Sequence, residues 1–431
     1  MKGGVLMFNK WKQKLAIIFS MILMLSAMAL APVQAQAANV NISAKAGIAV
    51  DAQTGQILYS KNSSKVLPIA SMSKMLSIYI ILKSIHEGKL KWDQRVHISD
   101  NVAKISRNKE LTNVVLNAKR TYTVRDLYKA SLIYSANAAV IALGVTQAGS
   151  SEKFVNEMRS QVKAWGITDA KIYNAAGLTE GEVGTEAYPN TAKSAENEMS
   201  AKDVAVVASK LVNDYPEVLK TTKETNAWFA KGTDDAIDMT THNEMLSGKD
   251  YYMKDYNVDG LKTGTSNKAG NCFTGTVNKN GSRIITVVMH ANGRNKADDR
   301  FANTQTIMKE VYTNFKPIRY KKGAQLKKAT SFKVPEGKTT TVKAGISQPT
   351  TIWVANKQSK QSIRFTSKQS KKGLTAPVTK NQKIGIATAK VDGKRITYLQ
   401  SEDAKLQVLA KKSVEKANIF VRMWRSVVSV F

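Results

Sequence analysis

Cysteine is almost absent from this sequence, and its 431 residues include one cysteine and four histidines. A single cysteine excludes an intramolecular disulfide, so packing must stabilise the fold. Cys272 itself lies in a β-like run, where a small buried residue is more typical than a reactive thiol. No histidines pair at the spacing of metal ligands, so we predict neither a metal nor another cofactor. The histidines are His86, His97, His242 and His290.

Acidic residues are scarce in one part of the chain. Residues 317–400 carry 19 Lys and Arg against 2 Asp and Glu, whereas residues 38–316 carry 36 against 28. A strongly basic segment attracts polyanions, here anionic lipid head groups or acidic wall polymers. Nucleic acid is the alternative partner of a basic chain, but the sequence has no nucleic-acid-binding motif and begins like an exported protein. We therefore predict no nucleic-acid binding.

A long apolar run occurs near the N-terminus. Lys10, Lys12 and Lys14 stand directly before the run Leu15–Leu30, and Ala35–Ala37 then provides a small-x-small cleavage site. This order predicts a signal peptide over residues 1–37 and hence an exported protein. An uncleaved membrane anchor is the alternative, because the run approaches the length of a spanning helix.

Three short motifs follow one another along the chain: S-x-x-K at Ser71–Lys74, S-x-N at Ser135–Asn137 and K-T-G at Lys262–Gly264. This set is typical of the penicillin-interacting serine acyltransferases. K-T-G occurs once, whereas S-x-x-K alone is weak, since it also starts at Ser106, Ser150, Ser160 and Ser413. The order and wide spacing of the set therefore carry the hypothesis.

The first two motifs supply a nucleophile and its base. A serine hydroxyl is a poor nucleophile until a base takes its proton. Positions i and i+3 share a helix face, so Lys74 can reach Ser71 if the helix begins there. Burial and a second cation, Lys262, would keep Lys74 uncharged. We expect Asn137 to hold Lys74 and a substrate amide, and Ser135 to pass a proton to the leaving amine.

The K-T-G segment reads as a strand that binds a peptide by main-chain hydrogen bonds. Thr263 and Thr265 would offer hydroxyls to a terminal carboxylate, and Gly264 would permit a close approach. The oxyanion would be held by the main-chain N–H groups of Ser71 and Thr265. Each residue alone has a commoner structural explanation, such as a helix cap or a strand end. The functional interpretation rests on all of them together.

The pattern of elements predicts an α+β fold, with an antiparallel sheet flanked by helices over residues 38–316. The predicted strands are Ala46–Val50, Gln56–Ser60, Leu261–Thr265, Phe273–Val277 and Arg283–His290. The predicted helices are Ser71–Ile85, Thr123–Tyr134, Ser200–Val212 and Phe301–Phe315. The segment Thr123–Asp126 resembles a capping box at the start of one of these helices.

Residues 317–402 read as a small all-β domain, with a disordered basic linker as the alternative. Its predicted strands are Thr339–Val342, Thr351–Val354, Ile363–Thr366, Ile384–Ala387 and Ile396–Leu399. Residues 403–431 read as a basic amphipathic helix suited to a membrane interface, with a packing helix as the alternative. Its apolar positions are Val414, Ala417, Phe420, Val421, Trp424, Val427, Val428 and Phe431.

With these motifs the chain resembles the D-alanyl-D-alanine carboxypeptidases, the low-molecular-weight penicillin-binding proteins with a β-lactamase/transpeptidase-like catalytic domain. The likeness includes the segments Pro68–Met75, Asn174–Leu178 and Val258–Gly264. It implies removal of the terminal D-alanine from peptidoglycan pentapeptide stems through a Ser71 acyl-enzyme, which β-lactams also form. It further implies that Arg300 helps to hold the substrate carboxylate, and that the enzyme works at the outer face of the bacterial cytoplasmic membrane.

Two other functions stay open from the residues alone. A β-lactamase or esterase would use the same nucleophile, and Glu186–Asn190 superficially matches the acid loop of class A β-lactamases. That loop lies 51 positions after Ser135, which is longer than in that family, and Ala136 stands where that family has Asp. A non-enzymatic surface protein that binds anionic wall polymer is the other alternative. Residues 183–198 are predicted to form a surface insertion near the site.

Overall fold

The computed structural model describes residues 40–292, 298–326, 331–368, 373–401 and 404–428. The predicted signal peptide lies outside these residues. The described part contains an antiparallel sheet with helices around it and, after residue 320, an all-β domain. The predicted α+β class is therefore confirmed.

Twelve strands are described up to residue 320, and five of them form the main antiparallel sheet. They are β1 (Ala44–Asp51), β2 (Ile57–Lys61), β3 (Val66–Pro68), β4 (Arg95–His97), β5 (Thr121–Thr123), β6 (Glu198–Ser200), β7 (Asn226–Phe229), β8 (Ile237–Thr240), β9 (Asn257–Ser266), β10 (Gly270–Lys279), β11 (Ser282–Ala291) and β12 (Phe315–Tyr320). The main sheet has the order β2-β1-β11-β10-β9, so β9, which carries K-T-G, lies at its edge. The pairs β3–β6, β4–β5 and β7–β8 form separate two-stranded ribbons.

Eight helices accompany these strands. They are α1 (Lys74–His86), α2 (Asp100–Ser106), α3 (Val124–Leu132), α4 (Asn137–Ala148), α5 (Ser151–Ala164), α6 (Ala201–Asp214), α7 (Val218–Thr222) and α8 (Asp299–Asn314). The predicted cap at Thr123 is present, since the Thr123 hydroxyl accepts the Asp126 N–H, and Ser200 in addition forms a capping box with Asp203. These caps satisfy N–H groups that a helix start leaves without a partner.

Helix α1 is the central element of the helical part. Its residues are apolar nearly all round the helix, which is the pattern of a buried helix rather than a surface one. Ten of its thirteen residues are buried, and it packs against α4 and α6 within one continuous apolar core. The turn in front of α1, which carries Ser71, is therefore attached to the most buried helix of the domain.

The β domain contains seven further strands and its own apolar core. They are β13 (Ser331–Lys333), β14 (Thr341–Ile346), β15 (Thr350–Ala355), β16 (Ile363–Lys368), β17 (Lys383–Val391), β18 (Lys394–Arg395) and β19 (Ala404–Ala410). The main path is β13-β14-β19-β17-β16, with β18 paired to β17, and β15 pairs with β12. Phe332, Val342, Phe365 and Val408 are among its core residues. The prediction of a folded all-β domain, rather than a disordered linker, is therefore confirmed for this segment.

A tryptophan joins the β domain to the catalytic domain. The Trp353 indole N–H donates to the Asp51 carboxylate at 2.7 Å. The Gln56 side-chain amide makes two more bonds, to the main-chain N–H and C=O of Trp353, each at 2.8 Å. All three residues are buried. This junction lies at the end of β1 and the turn after it.

Two predicted helix boundaries near the motif residues differ in the structure. Ser71 lies in a 3-10 turn, Ala70–Ser73, and the helix starts at Lys74. The helix predicted from Thr123 ends at Leu132 rather than at Tyr134, because the chain turns there towards Ser135.

The strand predicted over Ile396–Leu399 is wrong. The strand in this region is Lys394–Arg395, which pairs with Val391 and Lys390 across the Asp392-Gly393 turn. The Leu399 side chain instead packs into the catalytic core. The apolar pattern of this segment could not show that its residues pack into two different cores, Ile396 into that of the β domain and Leu399 into that of the catalytic domain.

The helix predicted over 403–431 is shorter than expected. Residues 404–410 form β19, and the described helix, α9, spans Ile419–Val428. Val414 and Ala417 are buried in the β domain and do not belong to the helix's apolar side. Phe431 lies outside the described residues. Within the part of the chain that is described, we find no helix long and apolar enough to cross a bilayer.

Candidate active site

A serine and a lysine form the centre of the site. The Lys74 Nζ atom lies 2.7 Å from the Ser71 Oγ atom. The Lys74 side chain is completely buried. This burial, followed by the charge of Lys262, holds the pKa of Lys74 well below the usual lysine value. An uncharged lysine in contact with a hydroxyl can act as its base.

Asn137 fixes the other side of this lysine. The Asn137 Nδ2 atom donates to the Thr112 carbonyl at 3.0 Å, which requires the Oδ1 atom to face the opposite way. That Oδ1 atom accepts from Lys74 Nζ at 2.6 Å. Ser135 lies two residues earlier with φ of 63°, in the left-handed region, and is 5% exposed. Backbone strain of this kind is commonly found at functional sites.

The K-T-G strand packs directly against the turn that carries Ser71. A Cβ atom on Gly264 would lie 2.7 Å from the Ile69 carbonyl oxygen and 3.3 Å from the Met72 N atom. Contacts below about 3.4 Å would force the strand and the turn apart. Glycine at this position therefore allows β9 to lie beside the turn that carries Ser71.

Two cations lie along this strand. Lys262 is buried, and its Nζ atom donates to the Thr263 carbonyl at 3.2 Å. Burial, followed by the charge of Arg300, lowers the pKa of Lys262 to about 7. Arg300, in the first turn of α8, donates to the Thr265 hydroxyl at 2.8 Å. These contacts connect Lys262 with Thr263 and Arg300 with Thr265, on either side of Gly264.

His242 places an uncharged side chain next to these cations. Its ring lies 5.6 Å from that of Tyr134, the residue before Ser135. Burial, followed by the charge of Lys262, lowers the pKa of His242 to about 4. His242 is therefore uncharged at neutral pH. Its location was not predicted, because one histidine far along the chain gives no sequence signal.

A buried polar network lies below Ser71, and sequence reasoning from the residues missed it. A Cβ atom on Gly177, whose φ is 78°, would lie 1.9 Å from the Ala70 carbonyl oxygen. The Asn197 Nδ2 atom donates to the Ser73 hydroxyl at 2.9 Å and to the Asn174 carbonyl at 2.8 Å. Only the loop around Asn174 had a signal, through its likeness to a family segment. Asn197 had none.

Two other residues singled out from the sequence have structural surroundings. Glu186 accepts a hydrogen bond from the Ser151 hydroxyl at 2.5 Å, at the start of α5. Cys272 is fully buried, and this burial raises the pKa of its thiol to about 11. The expectation of a small buried cysteine is confirmed.

The fold and this geometry describe a serine acyltransferase, and comparisons with known proteins identify the family. Residues 32–293 match the family model described as D-alanyl-D-alanine carboxypeptidase. Residues 312–416 match the model of the penicillin-binding protein 5 C-terminal domain. The chain therefore belongs to the D-alanyl-D-alanine carboxypeptidase family.

Relatives match this chain over most of its length or over a smaller part of it. D-alanyl-D-alanine carboxypeptidase DacF of Bacillus subtilis is 26% identical over 385 residues, which cover 89% of each chain. The crystal structure of a peptidoglycan synthesis regulatory factor (PBP3) from Streptococcus pneumoniae has a TM-score of 0.73 at 34% identity, and it covers 87% of this chain and all of that one. Penicillin-binding protein D2 from Listeria monocytogenes, in its ampicillin-bound form, is 31% identical with a TM-score of 0.51, over 64% of this chain and 99% of that one.

The family assignment confirms the function expected from the motifs. The chain is a serine-type D-Ala-D-Ala carboxypeptidase that acts on peptidoglycan peptides. Its fold is a catalytic domain followed by the small all-β domain of the penicillin-binding proteins. The roles of individual residues are a separate question, which the geometry addresses.

Proposed function

We propose that Ser71 is the nucleophile and Lys74 its general base in a two-step removal of the terminal D-alanine from a pentapeptide stem. The contact between Lys74 Nζ and Ser71 Oγ, at 2.7 Å and with the Lys74 side chain fully buried, carries this proposal. The other contacts of Nζ are with the side-chain amide oxygen of Asn137 and the main-chain carbonyl oxygen of Ala176. No carboxylate is among these contacts, so the lysine has no anionic partner there to favour its charged form.

In the first step, the Ser71 oxygen attacks the carbonyl carbon of the penultimate D-alanine while its proton passes to Lys74. The oxyanion accepts hydrogen bonds from the main-chain N–H groups of Ser71 and Thr265. The C–N bond then breaks, the Ser135 hydroxyl delivers a proton to the leaving amine, and Lys74 returns its proton to Ser135, so that the lysine is uncharged again. Free D-alanine departs, and an ester joins the peptide to Ser71.

In the second step, water attacks this ester and gives a proton to Lys74. The bond between the acyl carbon and the Ser71 oxygen breaks, and that proton returns to Ser71. A β-lactam reacts as in the first step, with its ring amide as the bond that breaks. Because the nitrogen remains part of the opened ring, the leaving amine stays attached to the acyl group. Glu186, the candidate acid of a β-lactamase loop, is bonded to Ser151, which supports the peptidase over the β-lactamase alternative.

The substrate's terminal carboxylate is proposed to bind beside the K-T-G strand. Lys262 and Arg300 supply positive charge, and the hydroxyls of Thr263 and Thr265 supply donors. Arg300 already holds the Thr265 hydroxyl at 2.8 Å, so a carboxylate there would meet an ordered pair of donors. Gly264 permits the peptide strand to lie close to Ser71.

Intact-mass spectrometry after brief exposure to benzylpenicillin tests the nucleophile. We expect one drug mass per protein in the wild type and none in Ser71→Ala, together with release of D-alanine from a D-Ala-D-Ala peptide by the wild type only. Rapidly hydrolysed drug without an adduct would favour the β-lactamase alternative. Intact drug without an adduct would indicate a binding protein without activity.

We further propose that the mature protein works outside the cell at the membrane surface, held by α9. Several apolar side chains of this helix face solvent, including Phe420 at 78% and Trp424 at 71% exposure. Arg425 donates to the Pro335 and Gly337 carbonyls, so the helix is fixed to the β domain. An amphipathic basic helix with exposed aromatic residues suits a bilayer interface.

Vesicle sedimentation tests this location. The full mature chain should sediment with vesicles of phosphatidylglycerol and phosphatidylcholine, and the double variant Phe420→Ser, Trp424→Ser should remain in solution while still forming the benzylpenicillin adduct. Binding to an acidic wall polymer through the basic β domain would instead persist in this variant and weaken with salt.

A further inference from the structure

Lys74 has three close polar contacts, and their chemistry differs. Its Nζ atom lies 2.7 Å from Ser71 Oγ, 2.6 Å from Asn137 Oδ1 and 3.0 Å from the Ala176 carbonyl oxygen. The last two atoms are carbonyl oxygens, which only accept hydrogen bonds. Ser71 alone offers a hydroxyl, which can donate.

An uncharged amine has two N–H bonds and one lone pair in a tetrahedral arrangement. When the two carbonyl oxygens take both N–H bonds, the lone pair is left facing the Ser71 hydroxyl. With Asn137 alone, one N–H would be fixed, and the amine could turn about its C–N bond and direct an N–H at Ser71. The Ala176 carbonyl therefore decides whether the base presents its lone pair to the nucleophile.

Asn174 sets the position of this carbonyl without touching Lys74 or Ser71 itself. Its Oδ1 atom accepts the N–H groups of Ala176, Gly177 and Leu178 at 3.1, 2.7 and 3.1 Å. Its Nδ2 atom donates to the Leu178 carbonyl and to Glu180, each at 2.8 Å. Asn174 is 3% exposed. One buried amide thus fixes the whole turn around Ala176.

The turn is also tied to the nucleophile segment. The Asn197 Oδ1 atom accepts the N–H groups of Tyr173 and Asn174 at 2.7 and 3.2 Å. Its Nδ2 atom donates to Ser73, and its carbonyl accepts the Ile69 N–H at 3.0 Å. These bonds therefore fix the position of the Ala176 carbonyl relative to Ser71.

We propose that Asn174 is a positioning residue that directs the lone pair of Lys74 at the Ser71 hydroxyl by holding the Ala176 carbonyl in place. The inference rests on the proposed role of Lys74 as the base. It assigns to the Asn174–Leu178 turn a part in proton transfer as well as in folding.

The test is the pH dependence of acylation by benzylpenicillin in Asn174→Ala. We expect the maximal second-order rate constant to fall about 10- to 100-fold, as for a small misplacement of a catalytic group. We expect the acid limb of the profile to stay or to move to lower pH, because a lost carbonyl acceptor disfavours the charged lysine. Loosening that admits water would move this limb to higher pH.

Gln56→Ala is the matched control, since it also removes a buried amide with main-chain bonds, but at the domain junction. It should lower the melting temperature and leave the acylation profile unchanged. If Asn174→Ala fails to fold, Glu180→Gln tests the same turn more gently and should slow acylation a few-fold without an alkaline shift. A wild-type rate or an alkaline shift in the folded Asn174 variant overturns the inference. Absence of the Ser71 adduct in the wild type would instead refute the proposed function.

Discussion

Replacing Gly264 by alanine should separate the K-T-G strand from the nucleophile. The added Cβ atom would lie 2.7 Å from the Ile69 carbonyl oxygen, 3.2 Å from Met72 Cγ and 3.3 Å from Met72 N. Ordinary contact begins at about 3.4 Å, so the strand and the turn must move apart by about 0.7 Å. Both of the closest main-chain atoms belong to the segment that carries Ser71, so the change reaches the oxyanion site directly.

A shift of this size in a catalytic group can cost about 10²-fold in rate, and overpacking costs about 1–3 kcal/mol of stability. We therefore expect Gly264→Ala to acylate with benzylpenicillin about 30- to 100-fold more slowly than the wild type, measured by intact mass at timed intervals. The protein should remain folded by circular dichroism.

Gly47→Ala is the matched control for this experiment. It also lies in the main sheet, but its Cβ would meet chiefly the end of the Ile42 side chain, Cδ1 at 2.7 Å, which can move. Its acylation rate should stay within a few-fold of the wild type. Wild-type acylation in Gly264→Ala, or an equal loss in both variants, would refute the reasoning about this contact.

Three other outcomes are expected. Lys262→Gln removes a charge that lowers the pKa of Lys74, so the acid limb of the acylation profile should move to higher pH; an unmoved limb in stopped-flow measurements would contradict this. Trp353→Phe removes the bond to the Asp51 carboxylate and should cost about 2 kcal/mol in denaturant unfolding, with normal acylation; unchanged stability would argue against the junction. Cys272 should not react with Ellman's reagent until the protein is unfolded, and rapid labelling of the native protein would show that the thiol is accessible.

Local patterns predicted much of the fold. The capping signal at Thr123, the helix start at Ser200 and the turn at Asp392-Gly393 fall where the structure has them, because each depends on residues a few positions apart. Predictions failed where a distant partner decides the outcome. Leu399 packs into the other domain, and Val414 into the β-domain core, although both fit a periodic pattern.

The site divides in the same way. The motif side chains could be named from the sequence, and the structure brings Ser71, Lys74 and Asn137 into hydrogen-bond contact. The Ala176 carbonyl could not be named, since every residue has a carbonyl and only the fold decides where it lies. Asn197 acts across 124 positions of sequence to reach Ser73, a pairing that no spacing rule reveals.

The edge position of β9 has a consequence for solubility. An unpaired sheet edge is a template on which other chains aggregate, and proteins commonly cover or interrupt it. Here the Thr222 hydroxyl donates to the Asp259 carbonyl, and the turn that carries Ser71 lies against Gly264. These contacts cover part of the edge that a peptide substrate must reach, which limits its pairing with the sheet of a neighbouring molecule.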